Sequence, residues 1–236
     1  MRKGQVIVTG GSRGIGAGIA VELDRRGFDV VALSRTGTSS VGLGMSCDMT
    51  DEESIKSAIA QVVARGALVG LVNNAGVQIA TPSAELSLAA FEETIRLNTG
   101  GALVASREVY PSLKQAGGGL IVNIGSFYDK IGVPRNLAYC ASKAAIGAMT
   151  RCLAVEWARD GITVLDVAPG YIATELNQDF LAKPKIQEWI QKDIPVGHAG
   201  DVSEVARLVG CLFSERMPYL TGETIYVDGG HGVSQL

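Results

Sequence analysis

Histidine and cysteine are scarce, with two and four among 236 residues. His198 and His231 stand far apart, and Cys47, Cys140, Cys152 and Cys211 form no C-x-x-C pair. A protein metal site needs clustered imidazole and sulfur ligands, so no metal centre is expected. Scattered cysteines read as small buried hydrophobes in a reducing compartment. Long apolar runs are also missing. Hydrophobic residues make up 47% of the chain, yet charged residues interrupt them before the ~18 consecutive positions that would suggest a membrane span. Runs of basic residues are absent and the net charge is -3. Both argue against nucleic acid as a partner, because neutralising phosphates takes a basic face. Met1-Arg2-Lys3-Gly4 lacks the apolar stretch of a signal peptide and runs straight into a strand candidate, so a cytoplasmic location and no membrane partner are expected. There is no internal repeat, low-complexity tract or linker.

What is present is alternation. Short β-branched runs at 6–9, 30–33, 45–47, 68–72, 120–124, 163–167 and 224–227 alternate with helical patterns at 15–26, 51–64, 88–113, 138–159 and 203–213. Several of the strand runs are almost wholly apolar, as parallel strands covered on both faces are. This predicts an α/β fold, a Rossmann-type doubly wound parallel sheet of about seven strands with helices on both faces. Residues 1–236 then form one domain, a length that buries a large core without disulfides or metals. Gly117-Gly118-Gly119 reads as a helix-to-strand turn. The polar stretch 176–195, bracketed by Pro169-Gly170 and Pro195, breaks the alternation and reads as a substrate lid.

The first strand leads directly into Thr9-Gly10-Gly11-Ser12-Arg13-Gly14-Ile15-Gly16 and then a helix. Gly10 permits the tight turn, Gly14 lets backbone approach a pyrophosphate, and Gly16 allows close packing. Free N–H groups and the dipole at the helix start favour phosphate. Three glycines alone mean only a tight turn; their place after the first strand of an alternating chain points to a dinucleotide. A carboxylate ending the second strand would bind a ribose 2′-OH and repel a 2′-phosphate. Here the strand ends Leu33-Ser34-Arg35-Thr36, with Arg13 in the glycine loop. Arginine forks suit a phosphate, so NADP(H) is favoured, with NAD(H) possible. The alternative is that both arginines are ordinary solvated cations.

Tyr139 and Lys143, four residues apart, share one face of a helix. A free phenol has a pKa of about 10, and a fixed cation beside it lowers that value toward the working range of an acid-base catalyst. Ser126 follows the strand at 120–124, and Asn73-Asn74-Ala75-Gly76 follows the one at 68–72, so both stand at carboxyl ends of strands, where open α/β sheets bind ligands. Asn98 interrupts a helical stretch, a poor place for an amide without a specific task.

Thr9-Gly10-x-x-x-Gly14-x-Gly16, Asn73-Asn74-Ala75-Gly76, Asn98, Ser126, Tyr139-x-x-x-Lys143 and Pro169-Gly170, in this order, cover nearly the whole chain. Together they resemble the short-chain dehydrogenase/reductase family. The resemblance implies an NAD(P)-dependent oxidoreductase that moves a hydride between a nicotinamide and a carbonyl or secondary alcohol. It implies that Tyr139 is the general acid or base, that Lys143 binds the nicotinamide ribose and tunes Tyr139, and that Ser126 orients the carbonyl. Asn98 would hold a water linking Lys143 to solvent. The cofactor would lie along Gly10, Ser12, Arg13, Gly14, Ile15, Gly16, Ser34, Arg35, Asp48, Met49, Asn74, Ala75, Gly76, Tyr139, Lys143, Pro169, Gly170, Ile172 and Thr174. Asp48 would contact adenine, and Ile172 and Thr174 the carboxamide. Homotetramer assembly is implied first and a homodimer next.

The small-molecule substrate is expected among Gln78, Ser126, Tyr128, Tyr171 and Trp189, whose aromatics suit a small to medium, partly apolar molecule; plain packing is the alternative for each. The link from Thr36 to Gly44 is Gly/Ser-rich and predicts no helix. Two other functions compete. A non-redox enzyme on this scaffold would lose the glycine loop, which is present. A dinucleotide-binding regulatory protein without turnover would show a broken Ser–Tyr–Lys set, which is intact.

Overall fold

The apolar runs become strands of one parallel sheet in the computed structural model, which describes residues 3–234. The chain runs β1 (Gln5–Thr9), α1 (Gly14–Arg25), β2 (Asp29–Ser34), β3 (Leu43–Ser46), α2 (Glu52–Arg65), β4 (Leu68–Asn73), α3 (Leu88–Ile95) and α4 (Gly101–Gln115). It continues through β5 (Gly119–Ile124), α5 (Leu137–Trp157), β6 (Ile162–Pro169), β7 (Ile172–Ala173), α6 (Gln178–Leu181) and α7 (Pro184–Asp193). It ends with β8 (Gly200–Asp201), α8 (Val202–Glu215) and β9 (Thr224–Val227). The main sheet has seven strands in the order β3-β2-β1-β4-β5-β6-β9, every pairing parallel. The chain switches direction across the sheet between β1 and β4, so their carboxyl ends open a crevice where such folds take ligands.

Two apolar layers hold this sheet. On one face Ile55, Ile59 and Val62 of α2, Val109 and Leu113 of α4 and Leu153 of α5 pack on Ile7, Leu71, Ile121 and Val164. On the other, Ile19 and Leu23 of α1 and Val205, Val209 and Leu212 of α8 cover Val6, Val8, Val122 and Leu165. Burying one such side chain fully contributes about 1.5–3 kcal/mol. The crevice lies above these layers, at the carboxyl ends of the strands. Among the described residues no helix is long and apolar enough to cross a membrane.

The expected helix over 88–113 is instead α3, a π turn at Arg96–Gly100, and α4. A π turn inserts one extra residue into a helical run, and it places Asn98 inward. Asn98 receives the Val77 N–H on Oδ1 (2.8 Å) and donates Nδ2 to the Val77 carbonyl (2.9 Å) and the Ser142 hydroxyl (3.0 Å). The glycine run at 117–119 is the expected turn, with Gly117 and Gly118 at φ of 79° and 128°. No helix forms between β2 and β3; a chain of hydroxyls, Ser34–Thr36–Thr38, spans that link. The stretch 176–195 carries α6 and α7, and Leu181, Ile190 and Ile194 make a small core of its own there.

Candidate active site

The glycine loop is built against its neighbours on one side and left open on the other. Thr9 Oγ1 accepts the backbone N–H groups of Asn74 (2.9 Å) and Ala75 (3.1 Å), and the Asn74 amide donates to the Thr9 (3.0 Å) and Gly10 (3.2 Å) carbonyls. A Cβ on Gly16 would collide with the Gly10 carbonyl and that Asn74 amide. Gly16 thus lets the loop close on the Asn-Asn-Ala-Gly turn rather than lets helix meet strand. Gly10 and Gly14 take φ of 65° and 56°, which side chains resist. A Cβ on Gly14 would meet nothing nearer than Thr174 Cγ2 at 3.9 Å. The start of α1 has no side-chain cap and no acid in its first turn, whereas Asp51, Ser87 and Asp201 cap α2, α3 and α8. An uncapped, unshielded helix start beside open backbone fits a pyrophosphate. Thr174 faces this loop from beyond β7, anchored by Asn177 Oδ1, which accepts its N–H (2.8 Å) and hydroxyl (3.1 Å).

At the adenine end, Gly10 N–H donates to the Leu33 carbonyl (2.7 Å), bringing the loop against the end of β2. Arg13 and Arg35 are both exposed on that side, and Ser34 is buried. The Asp48 carboxylate accepts from the Thr50 N–H (2.9 Å) and hydroxyl (2.8 Å), which, with some help from the Arg35 charge, hold it below the usual carboxylate range. Met49 lies in the core at 5% exposure, its side chain turned away from the crevice into the first apolar layer. Ser12 and Ile15 are half-buried on the loop and α1, and Ile15 packs on the second apolar layer.

Above β4 to β6 the Ser126, Tyr139 and Lys143 side chains expected to do the chemistry converge. Ser126 follows β5 and its hydroxyl accepts the Tyr128 N–H (3.3 Å). Tyr139 and Lys143 stand on the first turns of α5, with Lys143 Nζ 5.6 Å from the Tyr139 ring centroid. Gly76 sits so close that a Cβ there would be 3.1 Å from Asn98 Oδ1 and 3.9 Å from Lys143 Nζ. The electrostatics differ from the expectation in sign. Burial pushes the Tyr139 phenol up to about 12, opposed by the Ser126 hydroxyl beside it. The Lys143 ammonium donates to the Ile124 carbonyl (2.6 Å). Burial also pulls Lys143 down to about 8, while the Asp166 charge resists. A spacing of four residues put the two groups on one face but said nothing of where the longer side chain would reach.

The aromatic residues expected around a substrate do assemble. Tyr128 packs edge-on to Tyr139 (5.7 Å), shares a 3.0 Å hydrogen bond with the Tyr171 hydroxyl, and Tyr171 in turn meets Trp189 of α7 (5.1 Å). Phe127 and His231 complete this cluster. Burial raises the Tyr171 phenol well above its usual value. Gln78 is turned to a different partner, donating to Asn136 Oδ1 (2.9 Å). Gly170 packs on Asp228, where a Cβ would be 2.7 Å from its Cα, and Ile172 is buried in the β7–β8 pair. Thr9 was legible only as part of a motif, although its hydroxyl ties the end of β1 to the Asn-Asn-Ala-Gly turn.

Known proteins with this geometry agree on a class. The family model described as Enoyl-(Acyl carrier protein) reductase matches residues 10–232. Glucose 1-dehydrogenase of Gluconobacter oxydans is 35% identical, with 96% of this chain and 91% of that protein covered. The 3-oxoacyl-[acyl-carrier-protein] reductase of Haemophilus influenzae is 33% identical over 95% of this chain and 96% of its own. Among solved structures, a gluconate 5-dehydrogenase from Burkholderia cenocepacia in complex with NADP and tartrate superposes with a TM-score of 0.92 at 29% identity, covering 99% of this chain and 97% of that one. A glycine loop on an uncapped helix, a Ser–Tyr–Lys set at the strand ends and these relatives lead to one conclusion: the chain belongs to the short-chain dehydrogenase/reductase family and is an oxidoreductase that uses a nicotinamide dinucleotide to act on alcohol or carbonyl groups.

Proposed function

We propose that the protein is an NADPH-preferring reductase, or the reverse dehydrogenase, for a small to medium, partly apolar ketone or secondary alcohol, with Tyr139 moving the proton. The observation that carries this reading is the convergence of Ser126, Tyr139, Lys143 and Asn98 at the carboxyl ends of the strands, beside an uncapped helix start. The bound nicotinamide supplies the hydride chemistry. Around it, Gly10, Gly14, Gly16 and the α1 N–H groups hold the pyrophosphate, while Arg13 and Arg35 take the 2′-phosphate. Ser126 donates to the substrate oxygen, and the Tyr139 hydroxyl gives its proton to the same atom as negative charge grows there. Donors placed for the alkoxide stabilise the transition state more than the ketone.

Lys143 binds the nicotinamide ribose and tunes the Tyr139 phenol, and Asn98 supports proton supply to it. Tyr128, Tyr171 and Trp189 wall the substrate, with Gln78 at the rim, and the 176–195 segment closes over it as a lid. The chain acts in the cytoplasm as a homotetramer, with a homodimer as the next assembly. The names of the relatives disagree about substrate, from glucose to gluconate to a 3-oxoacyl group on acyl carrier protein, so a substrate panel must include polyols, sugar acids and apolar ketones. The test is a titration with NADPH and then NADH, followed by nicotinamide fluorescence. Selective NADPH binding and turnover of a panel member uphold the reading. Preference for NADH overturns the phosphate assignment, and binding without turnover across the panel overturns the enzymatic one.

A further inference from the structure

Below the Tyr139–Lys143 pair, one row of the otherwise apolar layer facing α4 and α5 is polar. Asn73 of β4, Asn123 of β5, Asp166 of β6 and Thr224 of β9 are register neighbours across four strands. Asn73 Nδ2 donates to Asn123 Oδ1 (2.9 Å) and to the Ser106 hydroxyl of α4 (2.9 Å). Asn123 Nδ2 donates to Thr150 Oγ1 of α5 (2.8 Å), and the Thr224 hydroxyl to Asp166 Oδ2 (3.2 Å). Three of the four side chains are neutral, and the fourth carries a charge.

Asp166 is wholly buried, its Oδ1 makes no well-formed hydrogen bond, and the Gly125 backbone and Thr224 hydroxyl are what steady the carboxylate. A buried carboxylate with an unfilled lone pair is costly unless an opposite charge stands near. The buried charged side chains among the described residues are Glu22, Lys143 and Asp166. Glu22 is held by Arg25 and Arg26, at the end of its own helix and just past it. The other two both pack against the Ile124–Gly125 segment. Lys143 Nζ holds the Ile124 carbonyl, and the Asp166 carboxylate lies so close to Gly125 that a Cβ there would be 2.5 Å from Oδ1. Each group resists the effect of burial on the other, so that Asp166 keeps Lys143 from losing its proton and Lys143 keeps Asp166 from gaining one.

We infer that Asp166 is a positioning residue for the proposed reaction: its carboxylate is the buried counter-charge that keeps Lys143 an ammonium and holds it at the floor of the site, in reach of Tyr139. This rests on the role proposed for Lys143. The other charged and titratable groups around the pair are accounted for. Asp129, from the turn after Ser126, opposes the Asp166 charge, and its own Oδ2 accepts the Tyr226 hydroxyl (2.8 Å). Lys130 lies over the Tyr226 ring (3.4 Å), and Asp228 acts on Tyr226. Arg151 is exposed on α5, and Tyr128 and Tyr139 border the site above.

The experiment reads Lys143 directly, without turnover. In protein carrying ε-13C-lysine, the Lys143 signal is assigned by its loss in Lys143→Met and followed against pH. The expected curve has two steps, an acid one from Asp166 and a later one from Lys143 itself. Asp166→Asn should erase the acid step and lower the Lys143 midpoint by about one unit or more, the range an adjacent opposite charge supplies. A single step in the native protein, or an unmoved midpoint in Asp166→Asn, overturns the inference. So does an acid step that disappears in Asp129→Asn. The native curve decides the matter even if Asp166→Asn fails to fold. With a panel substrate, the alkaline limb of kcat/KM should move down in pH by the same amount in Asp166→Asn; a loss uniform in pH marks a structural role and overturns it. Inactivity across the panel would remove the redox reading while leaving the titration to stand or fall separately.

Discussion

Gly125→Ala measures how closely β5 and β6 shut over the Asp166 carboxylate. Gly125 does not take a positive φ, so alanine meets no backbone strain there. Taken alone, such a Gly→Ala change stabilises a fold by about 0.4–1 kcal/mol, because the unfolded chain loses freedom. Here the added methyl would lie 2.5 Å from Oδ1 and 2.7 Å from Oδ2 of Asp166. The carboxylate is short, wholly buried and tethered to Thr224, so it has little room to yield. Overpacking of this kind costs about 1–3 kcal/mol. The clash therefore reverses the sign, leaving a net loss of about 0–2.5 kcal/mol, the overpacking cost less the entropic gain. At roughly 2–4 °C per kcal/mol for a chain of this size, Tm should fall by up to about 10 °C. The cause is isolated by a cycle with Asp166→Ala, followed by urea unfolding. In that background the methyl has a space to enter, and Gly125→Ala should be neutral or stabilising, giving a coupling of about 1–3 kcal/mol. Equal costs in both backgrounds, or a higher Tm for Gly125→Ala in the native chain, would refute the packing argument.

Tyr139→Phe should leave the NADPH Kd nearly unchanged and lower kcat about 10²–10⁴-fold, since it removes only the proton carrier; near-native turnover would discard Tyr139. The buried phenol also sets the sign of the pH response, because oxidation needs the phenolate and reduction the phenol. Alcohol oxidation should accelerate as pH rises through neutrality, and a flat profile for both directions would contradict it. Arg35→Ala should weaken NADPH about 10- to 100-fold, the loss of one charge-assisted contact, and leave NADH alone; equal effects in fluorescence titrations would return Arg35 to solvent. Glu22 is held down from 4.5 to about 2 by its hydrogen bonds to Arg25 and Arg26. A lowered carboxylate stabilises the fold above its unfolded value and loses that effect as pH falls through the folded one. Glu22→Gln should therefore unfold more readily at neutral pH, with the gap in Tm closing between pH 4.5 and 2; a gap constant with pH would show that packing, not charge, is at stake.

Much of this architecture was written in periodicity. The run at 224–227 is β9 itself, and the other strands differ from their apolar runs by a few residues at the ends, where pairing rather than composition decides the boundary. The split of the 88–113 helix was not legible as a π turn, because an inserted residue changes hydrogen bonding without altering the apolar pattern; Asn98 in mid-helix was its one signal. The glycine loop and the Ser–Tyr–Lys set were visible from order and spacing. The reach of Lys143 to Ile124, 19 residues back, was not, since it depends on how α5 lies over β5. Asp166 left a plain mark as a lone acid in the apolar run of β6, but its significance needed the register that sets it beside Asn123 and Thr224.

The bare start of α1 carries a consequence for the life of the protein as well as for its chemistry. A side-chain cap is typically worth about 0.5–2 kcal/mol to a helix, and α1 forgoes one. A dinucleotide that binds only the folded chain returns more than that, about 2.7 kcal/mol at a hundredfold excess over its Kd. Copies left without dinucleotide would then unfold, and be cut by proteases, more readily than loaded ones.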